Sequence, residues 1–333
     1  DPDDMPDIDA DTTGAYDGVY VNRFFQATYT PGSIFKLVTL AAALDCGAVT
    51  ENSTFYCGGH ETFNDREQEV SCWKAAGHGM QTTMEALGHS CNIAFGHIGV
   101  NMTRKTFVEY FKAFGFLEKT GVDLPGEASG LFWAEDKFSV ANLISASFGQ
   151  TFRVTPMEQV RAVAAIVNGG YLLKPYVVSQ VLDSDGNIVK SNERTVLRQV
   201  ISEETSATMC KMMEYVVTDG TAGSAKTPGY RVGGKTGTSQ RNRDAWFMCV
   251  APKLVAGAWV GGEDQSVHPT YGGEGSIMAL PIVGEFFSTV YKNPALGISK
   301  QDRFRRPDRV TEYDCEEEMQ QSQYTEEEEG FFD

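Results

Sequence analysis

Ser33 and Lys36 open the run Thr30 to Leu44, TPGSIFKLVTLAAAL, and their types and spacing suit them to chemistry. On a helix, residues three apart are neighbours, about 5 to 6 Å apart at Cβ. A lysine in the first turn of a buried helix meets the positive end of the helix dipole and loses its hydration, and both effects favour the neutral amine. A neutral amine beside a hydroxyl is a base beside a nucleophile. Ser33 can also be read as a helix cap, but a capping box wants Glu or Gln three residues on, and lysine has the wrong sign there. The spacing alone is weak, since about one Ser-x-x-Lys match is expected by chance in a chain this long. Ser71 and Lys74 form such a match, followed by Gly77 and Gly79 instead of an apolar helix.

Two further short motifs fit the same chemistry: Ser90, Cys91, Asn92, and Lys235, Thr236, Gly237, Thr238. Acyl transfer needs a hydroxyl that attacks a carbonyl, a base that takes its proton, and donors that hold the developing oxyanion. Ser33 fits the nucleophile and Lys36 the base. Ser90 fits a relay to the leaving amine and Asn92 a holder of the substrate amide, while Cys91 points elsewhere if the segment is extended. Gly237 lets a substrate backbone approach a strand edge, where Thr238 can pair with it, and the N–H groups of Thr238 and Ser33 suit an oxyanion hole. Lys235, Thr236 and Thr238 offer a cation and hydroxyls to a terminal carboxylate. The plain alternatives are a polar turn before a helix beginning near Ile93, and a surface hairpin with a solvated lysine. Lys119 to Gly121 repeats K-T-G, but between a helix end and the LPGE loop. No cofactor is called for.

These groups need elements to hold them. The run after Ser33 is apolar nearly all round and predicts a buried central helix. Glu51 to Gly79, with its Gly, Cys and polar residues, reads as an irregular surface excursion. Apolar residues at i, i+3 or i+4 predict helices over Met80 to Leu87, Thr103 to Phe114, Ser139 to Phe148, Thr155 to Asn168 and Ser202 to Val217. Val177 to Leu182 and Ile188 with Val189 flank a DSDGN turn and predict a hairpin. Tyr230 to Thr238, Trp246 to Val250 and Leu254 to Val260 predict an antiparallel meander, with a final helix, Ile277 to Tyr291, packed back on it.

The net charge of −17 in 333 residues invites a search for a basic partner. Residues 1–22 hold seven Asp and no Lys or Arg, and residues 311–333 hold ten acidic residues and no basic ones, which accounts for the whole excess. The body is neutral, and nothing in it resembles a nucleic-acid footprint. The expected organisation is an acidic, disordered flank over 1–22, one domain over 23–295 and an acidic, disordered tail over 296–333. No stretch reaches the ~18 to 20 apolar residues of a membrane span. Cys57, His60, Cys72 and His78 can be arranged on paper as a zinc site, but the step from Cys72 to His78 is looser than in the usual fingers, and no metal is expected. Cys91 reads as a small buried thiol behind the cleft, with a bridge to Cys72 as the less favoured alternative.

With all three motifs in order, the chain resembles the transpeptidase domain of the penicillin-binding proteins from about Asn22 to Asn293. NRFFQATYTPGSIFK, CWKAAGHG, SCNIAF, GVDLPGE, SFGQTFRVTP followed by NGG, and GGKTGT carry the likeness. Up to KTGT the wording is similar to the monofunctional class B proteins, whereas RNRDAWFMCVAPKLVAGAWVGGED and SIMALPIVGEFF are more similar to the bifunctional class A proteins. The resemblance implies an α/β (α+β) fold of the serine β-lactamase/transpeptidase kind, a central antiparallel sheet covered by helices with an all-helical subdomain. It implies a serine acyl-enzyme on Ser33, a stem peptide ending in D-Ala-D-Ala as substrate, β-lactams as inhibitors, possible cell-wall synthesis partners, and work on the extracytoplasmic face of the bacterial membrane. The family usually has strands ahead of the active-site helix, and the Asp-rich opening here does not resemble them, so a sheet short of one or two strands is expected. D,D-Carboxypeptidase, serine β-lactamase and a non-catalytic β-lactam sensor or scaffold are the competing functions, and no E-x-x-L-N segment of many such lactamases is present.

Overall fold

A helix that is apolar nearly all round has to be enclosed on every side. In the computed structural model of the chain, which describes residues 18, 20–63, 68–262, 266, 269 and 271–304, every residue from Lys36 to Ala43 is buried. This helix, α1 (Lys36–Asp45), begins three residues later than expected, because Ser33 sits in a 3-10 turn, Gly32–Phe35. Residues three apart eclipse one another in such a turn, so Ser33 and Lys36 still share a side. The acidic stretches 1–17 and 305–333 lie outside the described residues.

Glu51 to Gly79 is more ordered than its composition suggested. β1 (Thr54–Cys57), β2 (His60–Phe63), β3 (Gln68–Ser71) and β4 (Gly79–Thr82) form two antiparallel ladders, β1 with β4 and β2 with β3. Phe55, Cys57, Phe63, Val70 and Cys72 are buried beneath them. Four-residue strands carry too little periodic signal to be read singly. The expected helix from Met80 is also corrected. Met80 to Thr82 belong to β4, and α2 (Thr83–Gly88) starts where Thr82 and Glu85 close a capping box.

α3 (Asn92–Met102), α4 (Arg104–Ala113) and α5 (Val140–Ser147) form the helical part with α1. Its filling is aromatic: Phe35 meets Phe152 edge-on at 4.7 Å between centroids and Phe116 at 5.3 Å. α6 (Pro156–Val167) opens on a second capping box, Thr155 with Glu158, and has Pro156 at its first position, where a missing N–H costs nothing. The expected hairpin is present as β6 (Gln180–Leu182) and β7 (Ile188–Ser191), flanked by the pair β5 (Tyr171–Lys174) and β8 (Thr195–Gln199). α7 (Glu203–Thr218) then leads into the sheet.

The central sheet is the predicted meander, β9 (Gly233–Thr238), β10 (Asp244–Ala251) and β11 (Leu254–Gly261), with β10 in the middle. Among the described residues it has three strands, and β9 forms an edge. Every residue of β10 is buried, as a strand covered on both faces must be. Phe247 and Cys249 face Val283 and Phe287, whereas Met248 lies on the side of Val160 in α6. The final helix is broken into α8 (Gly275–Met278) and α9 (Leu280–Tyr291), with Pro281 in the first turn of α9 because it cannot supply an N–H inside a continuous helix. This is the α+β architecture the resemblance implied.

The ordered body runs beyond the expected limit at 295. Lys253 Nζ donates to Gly297 O at 3.1 Å and pairs with Asp302, and Phe304 is buried. Phe304→Ala is therefore expected to destabilise the domain by about 3 kcal/mol, the low end for a buried phenylalanine, since the site is peripheral. Denaturant unfolding checks this, and an unchanged midpoint would show that the segment contributes no packing.

Candidate active site

The turn bearing Ser33 is pinned from three sides. Trp246 Nε1 in β10 donates to Thr30 O at 2.9 Å, Tyr29 N–H donates to Val154 O at 2.8 Å, and Gly32 N–H donates to Gly149 O at 2.9 Å. β9 lies directly against it. A Cβ placed on Gly237 would come within 2.8 Å of Ile34 Cγ2 and 3.0 Å of Pro31 O, so only glycine admits this approach. Ser33 lies between those two residues and thus beside the strand.

Ser90 and Asn92 reach the same place from the turn between α2 and α3. Ser90 adopts a left-handed conformation, φ 54°, which a non-glycine residue holds only when its surroundings impose it. Cys91 follows in an extended conformation as the N-cap of α3, its Sγ accepting from the Ala94 N–H at 3.5 Å. Ser90 and Asn92 both bond to Lys36, while Cys91 is buried in the core, an arrangement set by the left-handed Ser90 and the start of α3 at Asn92 and not by an extended segment.

Lys36 Nζ donates to Ser90 O at 2.7 Å and Asn92 Oδ1 at 2.8 Å, and lies 3.2 Å from Ser90 Oγ. Lys235 Nζ donates to Ser90 Oγ at 2.9 Å and to Thr236 O at 2.9 Å. Both lysines are fully buried. Ser90 Oγ thus lies between the two lysine nitrogens and accepts from both, while Lys36 also donates to the Ser90 carbonyl and Asn92. Burial lowers Lys36 to a pKa of about 7, partly opposed by the Cys91 and Cys72 sulfurs. Lys235 is held well below its ordinary value by burial first and by the charge of Lys36 second.

On β9, Ser239 N–H donates to Asp244 O at 2.9 Å. Backbone groups alternate along a strand, so the Thr238 N–H points to the opposite, unpaired edge, toward the Ser33 turn. Thr236 and Thr238 are half-buried on this edge, and Thr238 Oγ1 accepts from Gly275 N–H at 3.2 Å. The structure thus brings Ser33, Lys36, Ser90, Asn92, Lys235, Thr236, Gly237 and Thr238 into one region. Thr221, unnoticed in the sequence, joins them with its hydroxyl 3.3 Å from that of Thr236. Its only sequence signal was its place in the Gly-rich loop after α7. The decoys lie elsewhere in character: Ser71, Lys74 and Lys119 are all exposed.

The four residues grouped on paper do not all come together. His60, on an outward position of β2, is exposed and contacts Ser71 Oγ at 3.4 Å. Cys57, Cys72, His78 and Cys91 are the residues that gather, directly behind the Ser90 turn. Cys72 and Cys91 are both free thiols, with their sulfurs 4.0 Å apart.

Comparison with known proteins bears on this arrangement. The family model described as the penicillin binding protein transpeptidase domain matches residues 2–262. Stage V sporulation protein D of Bacillus subtilis is 40% identical over 247 residues, covering 73% of this chain and 38% of that protein. The chain spans well under half the length of the curated relatives it matches. The crystal structure of the D,D-transpeptidase domain of a peptidoglycan glycosyltransferase from Eggerthella lenta superposes with a TM-score of 0.71 at 28% identity, covering 82% of this chain and 69% of that one. Penicillin-binding protein A of M. tuberculosis, as its imipenem acyl-enzyme complex, gives a TM-score of 0.68 at 25% identity, covering 80% of this chain and 61% of that one. A family match over most of the chain, a relative of this identity and a shared fold together leave one assignment: the chain belongs to the penicillin-binding protein transpeptidase family.

Proposed function

We propose that this chain is the catalytic domain of a peptidoglycan D,D-transpeptidase, acting at the extracytoplasmic face of the bacterial membrane on stem peptides ending in D-Ala-D-Ala. The observation that carries the reading is the meeting of two buried lysines on the single hydroxyl of Ser90: Lys36, which is one turn from Ser33, and Lys235 of the edge strand β9. Neutral Lys36 takes the Ser33 proton as Ser33 Oγ bonds to the penultimate D-Ala carbonyl carbon. The N–H groups of Ser33 and Thr238 hold the oxyanion, with the substrate strand laid along β9. The C–N bond to terminal D-Ala then breaks, and the proton passes from Lys36 through Ser90 to the departing amine. An amine of a second stem peptide reverses these transfers and frees Ser33. Asn92 holds the substrate amide, and Lys235, Thr236 and Thr238 receive the terminal carboxylate.

A β-lactam presents the same carbonyl and carboxylate, and its ring opens on Ser33 without losing a leaving group. Intact-mass measurement after penicillin exposure is therefore expected to show one long-lived adduct per chain. Rapid return to the unmodified mass with product accumulation would instead establish a β-lactamase, and no adduct at all would establish a non-catalytic scaffold.

A further inference from the structure

We propose that Thr221 sets specificity for a free carboxylate: its hydroxyl donates to that of Thr236, which leaves the Thr236 proton for the terminal carboxylate of the substrate. The inference rests on the placement of that carboxylate at Lys235, Thr236 and Thr238 under the proposed function. Thr221 Oγ1 and Thr236 Oγ1 are 3.3 Å apart, and both residues are half-buried. Each hydroxyl carries one proton and can accept twice, so in the free site either can donate to the other. An ionised carboxylate only accepts. Once it lies against Thr236, that hydroxyl gives its proton to the anion, and Thr221 has to supply the proton between the two threonines. Hydrogen bonds in such a chain polarise one another, and the charged end gains most.

The backbone fixes where Thr221 stands. α7 ends at Thr218, and the chain then turns on successive N–H groups: Gly220 donates to Tyr215 O, Thr221 to Gly88 O and Ala222 to Val216 O, each at 3.1 Å. A Cβ on Gly220 would lie 2.8 Å from Gly88 O and 2.9 Å from Val216 Cα, so glycine is required where the loop passes between α2 and α7. Gly88 is the last residue of α2 and stands two residues before Ser90, whose N–H donates to Leu87 O at 3.1 Å. One loop therefore bridges the turn that carries Ser90 and the strand that carries Thr236. A donor held in this way needs little reorganisation when the ligand arrives.

A threonine that served only its own loop would bond within it. Its neighbours do so: Thr218 Oγ1 donates to Asp219 Oδ2 at 2.6 Å, and Thr227 Oγ1 to Ala225 O at 3.2 Å. Thr221 instead reaches across 15 residues of chain to β9. With Lys235 and Thr238 on the same strand, the group complements an anion. An amide or ester in its place brings no charge for the chain of hydroxyls to strengthen.

Stopped-flow acylation of the full chain by benzylpenicillin and by its methyl ester tests this. Thr221→Val is expected to slow acylation by the acid about fivefold to tenfold, the worth of one hydrogen bond, and to leave the rate with the ester within about twofold. Thr221→Ser restores the hydroxyl and should restore the rate. Thr221→Ala, which adds no bulk to the loop, should repeat the loss, so a valine variant that fails to fold does not decide the matter. Full speed with the acid in folded Thr221→Ala protein, an equal loss for acid and ester, or a serine variant as slow as the alanine one would overturn the proposal. Thr236→Val separates it from the reading beneath it. A loss with the acid in Thr236→Val but not in Thr221→Ala removes the role of Thr221 alone, whereas no acid-specific loss in Thr236→Val would show that the carboxylate is received elsewhere, and both would fall.

Discussion

Ser33→Ala protein is expected to take up no penicilloyl group, whereas Ser71→Ala protein is labelled like the unaltered chain. The effect is all or none because acylation needs an oxygen that can bond to the lactam carbonyl, and alanine offers none. Both serines have a lysine three residues on, and the folded environment separates them. Lys36 is fully buried one turn from Ser33 and bonded to Ser90 and Asn92, while Lys74 is exposed. Intact mass after exposure to penicillin, followed by peptide mapping, reads the result. An adduct that survives in Ser33→Ala protein would remove Ser33 from the mechanism.

The rate of acylation is expected to rise with pH through about 7 and to level off above it, since that is where Lys36 loses its proton. The sign follows from the role. A base works only when neutral, so each unit of pH below the pKa should lower the rate about tenfold. Lys36→Ala should cost roughly a thousandfold, in the middle of the range for general acid–base catalysis. Lys36→Arg should do no better, because a guanidinium keeps positive charge but stays protonated. Stopped-flow acylation across the neutral range tests both statements. A flat profile, or an active Lys36→Arg protein, would assign the proton transfer to another group.

The sequence by itself determined the parts whose signal is local. Ser-x-x-Lys before an apolar run, Ser90 with Asn92 ahead of a helix, and KTGT ending a strand were legible, and local context set them apart from Ser71 with Lys74 and from Lys119 to Gly121. α4, α5, α6 and α7 were legible because a 3.6-residue period runs for two turns or more and caps such as Ser139, Thr155 and Ser202 mark the starts. The meander was legible because β10 is apolar from Ala245 to Ala251 and turn residues bound it.

Tertiary structure alone decided the rest. β1 to β4 are four-residue strands whose partners come from elsewhere in the chain, β1 pairing across to β4 at Cys57↔Gly79, and pairing of that kind leaves no periodic mark. The cysteine and histidine cluster shows the same limit. On paper His60 was grouped with Cys57, Cys72 and His78, but strand alternation turns it outward, and Cys91, 19 residues beyond Cys72, takes its place in the cluster. The shared hydroxyl of Ser90 was equally hidden, since Lys36 and Lys235 reach it across 54 and 145 residues of chain. Spacing specifies which residues share a helix turn or a strand face. Which faces meet is set only by the packing that buries them.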